Sequence, residues 1–350
     1  MDSLKLVAGI EPLQGIVLDA ALVGEMQRAA GATDVIDFYN PSFKSYATSE
    51  IVSCGKSAWP AVSITGPDCK LQCDHCKGKI LASMIPACTP EELWRVANQQ
   101  IEHGARGMLL TGGSNHRNEV EYDPYYATIR HIKDAFPEFR IAMHTALVDR
   151  DMAQRMEDSG IDAAMMDVIG AQETITQVYH LKRSVDDFER TLENLVATRL
   201  KVVPHIVLGL HYGHFLGERV ALEMLRRHKP SAVVLVVVMP FYAPAHRPFG
   251  VPDSLEVGRF FLDARQALPD IPLLLGCARP AGQAKAEIDA YALMAGLNGI
   301  AHPADGMVEL AARLGRKARI ASTCCSMAMG GEMVAESGLW AKPGVSSIPV

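Results

Sequence analysis

The sequence predicts an α/β fold of the TIM type, a (β/α)8 barrel with an N-terminal helical arm and a C-terminal tail. Three observations carry this. From Ala61 onward, short apolar runs alternate with amphipathic stretches, the pattern of repeated βα units and a parallel sheet. Eight such units can be counted, and they occupy about 250 residues, the count and length of such a barrel. A doubly wound open sheet is the runner-up, but no Gly-x-Gly-x-x-Gly follows the first strand to support it.

The elements follow in chain order. Residues 1–60 form the arm, with a helix expected over Pro12 to Ala30 and Gly31 as its stop. An aromatic-rich segment, Phe38 to Tyr46, leads to Cys54 and packs the arm onto the barrel or lines a groove. The barrel itself is expected over 61–316. Its strands are Ala61–Thr65, Gly107–Thr111, Arg140–Thr145, Ala163–Val168, Val202–Leu208, Ala232–Val238, Pro272–Cys277 and Gly299–His302. Helices lie between them, among them Thr89 to His103, where Thr89 and Glu92 make a capping box, and Gly282 to Ala295. Residues 317–350 form the tail, which carries Cys324 and Cys325.

Composition narrows the function. The formal net charge is −6 and no long Lys/Arg run occurs, so nucleic acid is not an expected partner. The most apolar stretch, Ala232 to Pro240, is too short to span a bilayer, and the N-terminus lacks a signal-peptide pattern. A cytoplasmic protein with no membrane association is expected. Eight cysteines in 350 residues is too sparse for a disulfide scaffold, and their clustering reads as metal chemistry in a reducing compartment.

The cysteine run Cys69-Lys-Leu-Gln-Cys73-Asp-His-Cys76 follows the first strand directly, at the barrel end where active sites of this fold lie. Three thiolates at spacings of four and three can each hold one corner of a [4Fe–4S] cube, leaving the fourth iron open. A structural zinc site is the competing reading, but zinc sites commonly use two separated Cys/His pairs. Four further cysteines, Cys54, Cys277, Cys324 and Cys325, come from three distant segments and are candidates for a second, auxiliary [4Fe–4S] cluster; some of them could equally be buried apolar residues. Cys88 stands at a helix start and reads as structural.

The CxxxCxxC pattern, with His75 just before the third cysteine, resembles the radical S-adenosylmethionine (SAM) superfamily. The resemblance implies that Cys69, Cys73 and Cys76 hold a [4Fe–4S] cluster whose open iron chelates SAM and whose electron cleaves it to a 5′-deoxyadenosyl radical. After the second strand comes Gly112-Gly113-Ser114, at the place where the family has a Gly-Gly-Glu-like motif meeting the amino group of methionine; Ser114 departs from the acid there. Asp167 is a candidate for the SAM ribose, since a carboxylate can accept two hydrogen bonds from a diol, or it caps the following helix. His144, His205 and His211 hold lumen-facing strand positions and could serve SAM, substrate or proton transfer, although a lone lumen histidine is more often a core residue; His144 and His211, nearest the expected mouth, are the further candidates. The backbone after Val238 could read adenine or simply pack the core.

Over about residues 50 to 325 the chain looks most like the biotin and lipoyl synthase branch, and closest to the two-component lipoyl synthases. The stretches that carry this are Gly276-Cys277-Ala278-Arg279-Pro280, Asn298-Gly299-Ile300-Ala301 and Thr323-Cys324-Cys325-Ser326. The N-terminal CxxxxCxxxxxC of single-chain lipoyl synthase is absent, and Cys54 alone stands upstream. The resemblance implies a sulfurtransferase that works with a sister radical SAM protein on an octanoylated lipoyl-carrier protein, fed by an electron donor such as ferredoxin or flavodoxin. Cys277, Cys324 and Cys325 would carry the sulfur chemistry. Octanoyl is apolar, so an apolar channel is expected, lined by the aromatics of 38–46 and by Phe241 and Tyr242. A radical SAM mutase of the methylornithine synthase type and a non-catalytic Fe–S scaffold are the alternatives.

Overall fold

The computed structural model describes residues 6–29, 34–41, 46–52, 58–239 and 243–327. Cys54, Phe43, Phe241, Tyr242 and the end of the tail lie outside these.

Among the described residues twelve strands pair in parallel: β1 Val35–Tyr39, β2 Ala61–Ser63, β3 Ile85–Pro86, β4 Gly107–Thr111, β5 Arg140–His144, β6 Ala163–Met165, β7 Lys201–Val202, β8 His205–Leu208, β9 Val233–Val237, β10 Leu273–Leu275, β11 Gly299–Ala301 and β12 Lys317–Ala321. They make two six-stranded sheets, in the orders β3-β2-β4-β5-β6-β7 and β12-β1-β11-β10-β9-β8. All eight expected strand runs are strands. The fifth is interrupted at Val203-Pro204, because proline has no N–H to give to a ladder.

That interruption is also the seam between the sheets. Val203 N–H donates to the Ala164 carbonyl (2.8 Å) and His205 N–H to the Met166 carbonyl (2.7 Å), while Val234 N–H reaches the Pro204 carbonyl (2.9 Å) from the other side. At the opposite flank the ladders do not form one closed eight-stranded ring. β1 pairs with β11 on one side and with β12 on the other, so Gly299–Ala301 meets Val35–Tyr39 and not the first barrel strand. Residues assigned from the sequence to the arm and the tail therefore complete the second sheet. Arg319 of β12 grips Asp37 of β1 through two bonds of 2.6 and 2.8 Å, a bidentate pair that fixes this register.

The arm helix is shorter than expected. A 3-10 turn at Glu11–Leu13 ends at Gly15, whose φ of 89° takes the chain out of helical conformation, and the helix proper is Ala20–Ala29. Asp19 accepts from Leu22 N–H at 2.7 Å and caps its start. The helix after β3 behaves as its sequence says: Pro90–Glu102, with Thr89 accepting from Glu92 N–H while the Glu92 carboxylate accepts from Cys88 N–H.

Alternation along the strands makes two cores. Ile36, Phe38, Leu110, Ile141, Met143, Leu235 and their neighbours face the helices. Tyr39, Ala142, Ala163, Met165, Val234 and Leu274 face the concave side, where small residues leave room. The short turn Cys325–Met327 reaches back to touch β6 and β11 on that concave side. No helix among the described residues is long and apolar enough to cross a membrane.

Candidate active site

The cysteine turn is held by the strand ends around it. Ser63 donates to the Gly66 carbonyl (2.7 Å) and Thr65 to the Asp68 carbonyl (2.8 Å), which folds the chain back after β2. Gly113 N–H donates to Thr65 Oγ1 (2.7 Å), and Lys70 N–H donates to the Ser114 carbonyl (2.9 Å). The glycine pair thus has a use the sequence did not disclose. A Cβ on Gly113 would lie 1.9 Å from the Asp68 oxygen and 2.6 Å from the Cys69 Cα, so only glycine lets the two loops touch. Ser114 presents its carbonyl to Cys69 Sγ at 3.8 Å.

Within the turn, Cys76 N–H and Lys77 N–H both donate to the Cys73 carbonyl. Asp74 is its anchor. Buried in the fold, this carboxylate accepts from Lys77 (2.6 Å), His180 (3.0 Å), Tyr212 (3.0 Å) and Arg247 (3.1 Å). His75 turns inward and its ring lies 5.3 Å from that of Tyr179.

Cys73 and Cys76 sit in opposed electrostatic settings. Burial pushes the Cys73 thiol well up, and the neighbouring Cys76 and Cys69 charges push it further. Burial also opposes the Cys76 thiolate, but the adjoining His75 overrides it and the net shift is downward. Three thiolates in one turn repel one another until metal neutralises them, and deprotonated sulfur is the form that ligates. Their donor atoms do not converge to the 4.8 Å spacing of a single-ion site. A cube, which gives each thiolate its own iron, calls for wider spacing than one ion does. Three cysteines on one turn that open on a common cavity are the kind of donor set a [4Fe–4S] cluster would take.

One cavity of about 350 Å³ collects most of the expected site. Cys69, Cys73 and Cys76 line it, as do Gly112, Gly113 and Ser114, His144 and Asp167, and also Cys277, Cys324 and Cys325. Cys69 and Cys325, far apart in the chain, thus open on one space. Cys277, Cys324 and Cys325 do not converge on a single-ion spacing either. The Cys324 thiol is shifted down by the hydrogen bond from Cys325, and Cys325 correspondingly up. Val234, Val236 and Met165 supply apolar wall.

Other expected residues fall elsewhere. His211 shares a 3.2 Å hydrogen bond with Thr174 and does not line the cavity. Phe38 and Tyr39 are core residues, and Tyr46 packs edge-on against His302, so none of these arm aromatics forms a channel wall. His205, on the lumen face by alternation but not among the site candidates, faces the cavity beside His144, with ring centroids 5.5 Å apart. Its position two residues before Val207 on the lumen face was the available signal. Tyr179 and Asp74 were missed because most of their partners are distant in sequence.

Residues 63–216 match the sequence profile of the Radical SAM superfamily. Membership of the radical SAM superfamily is thereby supported. Among solved structures, the fold is similar to methylornithine synthase (PylB), at 14% identity and a TM-score of 0.55, with 85% of this chain and 84% of that one covered. It is also similar to HydG, a maturase of the [FeFe]-hydrogenase, at 14% identity and a TM-score of 0.57, covering 91% of this chain and 75% of that one. The HydG of Carboxydothermus hydrogenoformans gives 12% identity and a TM-score of 0.54, covering 92% and 76%. At such identities the likeness speaks for the fold. No curated protein matches this sequence.

Proposed function

We propose that this chain is a radical SAM enzyme that inserts sulfur into an unactivated C–H bond of an apolar acyl chain, as one component of a two-protein lipoyl synthase. The observation that carries the reading is the opening of Cys277, Cys324 and Cys325 onto the same 350 Å³ cavity as Cys69, Cys73 and Cys76. A sulfur source beside a radical source is what such chemistry needs. When bound, the cluster and SAM supply a 5′-deoxyadenosyl radical, which no acid or base of ordinary pKa can replace.

The chain's own residues do the rest. Cys69, Cys73 and Cys76 would hold the cluster, and the Gly112–Ser114 backbone, pressed against the cysteine turn, offers carbonyls to the methionine end of SAM. Val234, Val236 and Met165 keep water from the space where a carbon radical would have to survive. Cys277, Cys324 and Cys325 would hold the sulfur-donating group, with Cys54 as a further ligand. Octanoyl-lysine on a carrier protein is the proposed substrate, and ferredoxin or flavodoxin the proposed electron donor.

Anaerobic turnover with an octanoyl-lysyl peptide, SAM, reductant and the sister protein, read by mass for added sulfur, tests the proposal. Cys324→Ala and Cys325→Ala should abolish thiolation while SAM cleavage continues; full thiolation by both and by the double variant would remove the tail from the sulfur chemistry. A radical rearrangement is the second reading, favoured by the fold likeness to methylornithine synthase across 85% of the chain. It needs one cluster, hence about four irons per chain against about eight.

A further inference from the structure

We infer that His144, Asp167 and His205 form a binding site for one divalent first-row transition ion, distinct from the thiolate site on the cysteine turn. This goes beyond the sulfur-insertion reading and does not depend on it. The three side chains meet at the seam between the two sheets: the end of β5, the chain just after β6, and the start of β8. Their ligand atoms all lie within 4.8 Å of one another, and His144 Nε2 stands 3.7 Å from Asp167 Oδ1. A backbone bridge ties Asp167 to His205, so two of the three are locked in register.

The donor set is chemically specific. Two imidazoles and one carboxylate can cap one face of an octahedral ion and leave positions open, the arrangement of mononuclear iron sites, and it also suits zinc or cobalt. An ion about 2.1 Å from each donor requires the three to close in slightly. His144 and Asp167 have room to do so, since about a third of each side chain is accessible from the cavity.

A second observation points to a ligand. His205 Nδ1 is buried and makes no hydrogen bond of normal geometry, although the Met166 backbone lies close to the ring. The open side of the triad gives onto the cavity shared with Cys277 and Cys324, so an ion here would face the sulfur-bearing wall. Asp167 then serves as a metal ligand and not as the acceptor of the SAM ribose.

Cobalt(II) is the probe. Holoenzyme with its reconstituted cluster is dialysed against cobalt(II), freed of loose ion by gel filtration, and assayed for cobalt and iron separately. X-ray absorption at the cobalt edge reads its ligands without interference from iron. About one cobalt per chain in a nitrogen and oxygen shell is expected, weakened at least about tenfold in His205→Gln and kept in Cys277→Ser and Cys324→Ser. Undiminished cluster iron in His205→Gln shows that the variant folds; if it is diminished, His144→Gln decides in its place. Absence of cobalt from the wild type, a sulfur-containing shell, or cobalt that survives loss of the histidine overturns the assignment. Cluster iron and SAM cleavage are measured independently, so failure here is distinguishable from failure of the proposed activity.

Discussion

Asp74 and Arg247 are 173 positions apart, yet the Arg247 guanidinium donates to Asp74 Oδ2 at 3.1 Å, directly beneath the cysteine turn. Only 3% of the Asp74 side chain is exposed, against 51% for Arg247, so the carboxylate is the fixed member and the arginine closes over it. Tyr212 completes the clamp by bonding both. Charge-assisted bonds of this kind fix geometry as well as adding energy.

Asp74→Asn keeps the shape and removes the charge. The turn between Cys73 and Cys76 should then open more often, and the holoprotein should release iron to a chelator several-fold faster, with Arg247→Ala giving a smaller effect. Identical release rates in wild type and Asp74→Asn would mean that the clamp does not hold the turn.

Gly113→Ala asks whether the meeting of the two loops matters. Its Cβ would overlap the Asp68 carbonyl, which is backbone and cannot swing aside. The cysteine turn must shift, and reconstituted iron content should fall to a small fraction of the wild-type value. By contrast, Gly104→Ala meets no atom within 4 Å and serves as a control for glycine substitution in general, although its φ of 88° still strains the backbone.

His205 gives the chain a pH dependence in the metal-free state. Its pKa is held down at about 4, first by burial and then by His144, against an ordinary value near 6.5. Between these values the unfolded chain binds a proton that the folded chain refuses, so stability is full above about pH 6.5 and falls as pH drops toward 4. The loss is of the order of 3 kcal/mol at most. Because Asp167 raises the His144 pKa in the opposite sense, the measurement is a difference. Lowering the pH from 7 to 5 should move the wild-type denaturant midpoint down relative to that of His205→Gln; curves that stay parallel would show that His205 carries no such penalty.

Local pattern carried the strands and the cysteine run, because period-two alternation and ligand spacing are written in consecutive residues. It did not carry β1 or β12. Each has a charge, Asp37 or Arg319, in the middle of a short apolar run, and the two neutralise one another only once residues 282 apart are paired. The same reason hid the triad: alternation puts His205 on the lumen face, but nothing near it says that His144 and Asp167 lie alongside. Asp74 occupies one of the two positions between Cys73 and Cys76, where the motif leaves identity free, and its four donors come from Lys77, His180, Tyr212 and Arg247.

Arg279 and Asp289 test how the loop bearing Cys277 is held. Both are almost wholly buried, at 1% and 0% exposure, and their side chains pair at 2.6 Å. Arg279 also donates to the Gly276 carbonyl (2.6 Å) and the His302 carbonyl (2.8 Å), so its guanidinium ties the loop after β10 to the end of β11. Asp289 in turn accepts from Lys285 and from Ala304 N–H. Removing one member leaves the other charge buried and unpaired, which costs about 3–5 kcal/mol, whereas replacing both by apolar groups is often nearly neutral. Asp289→Asn should therefore lower the denaturant midpoint sharply, and Arg279→Met with Asp289→Leu should recover part of that loss. The double variant should nevertheless leave Cys277 less well placed, because the bonds to Gly276 and His302 are gone: thiolation should fall while SAM cleavage persists. If the double variant thiolates as well as wild type, the ion pair serves stability alone and Cys277 is positioned by something else.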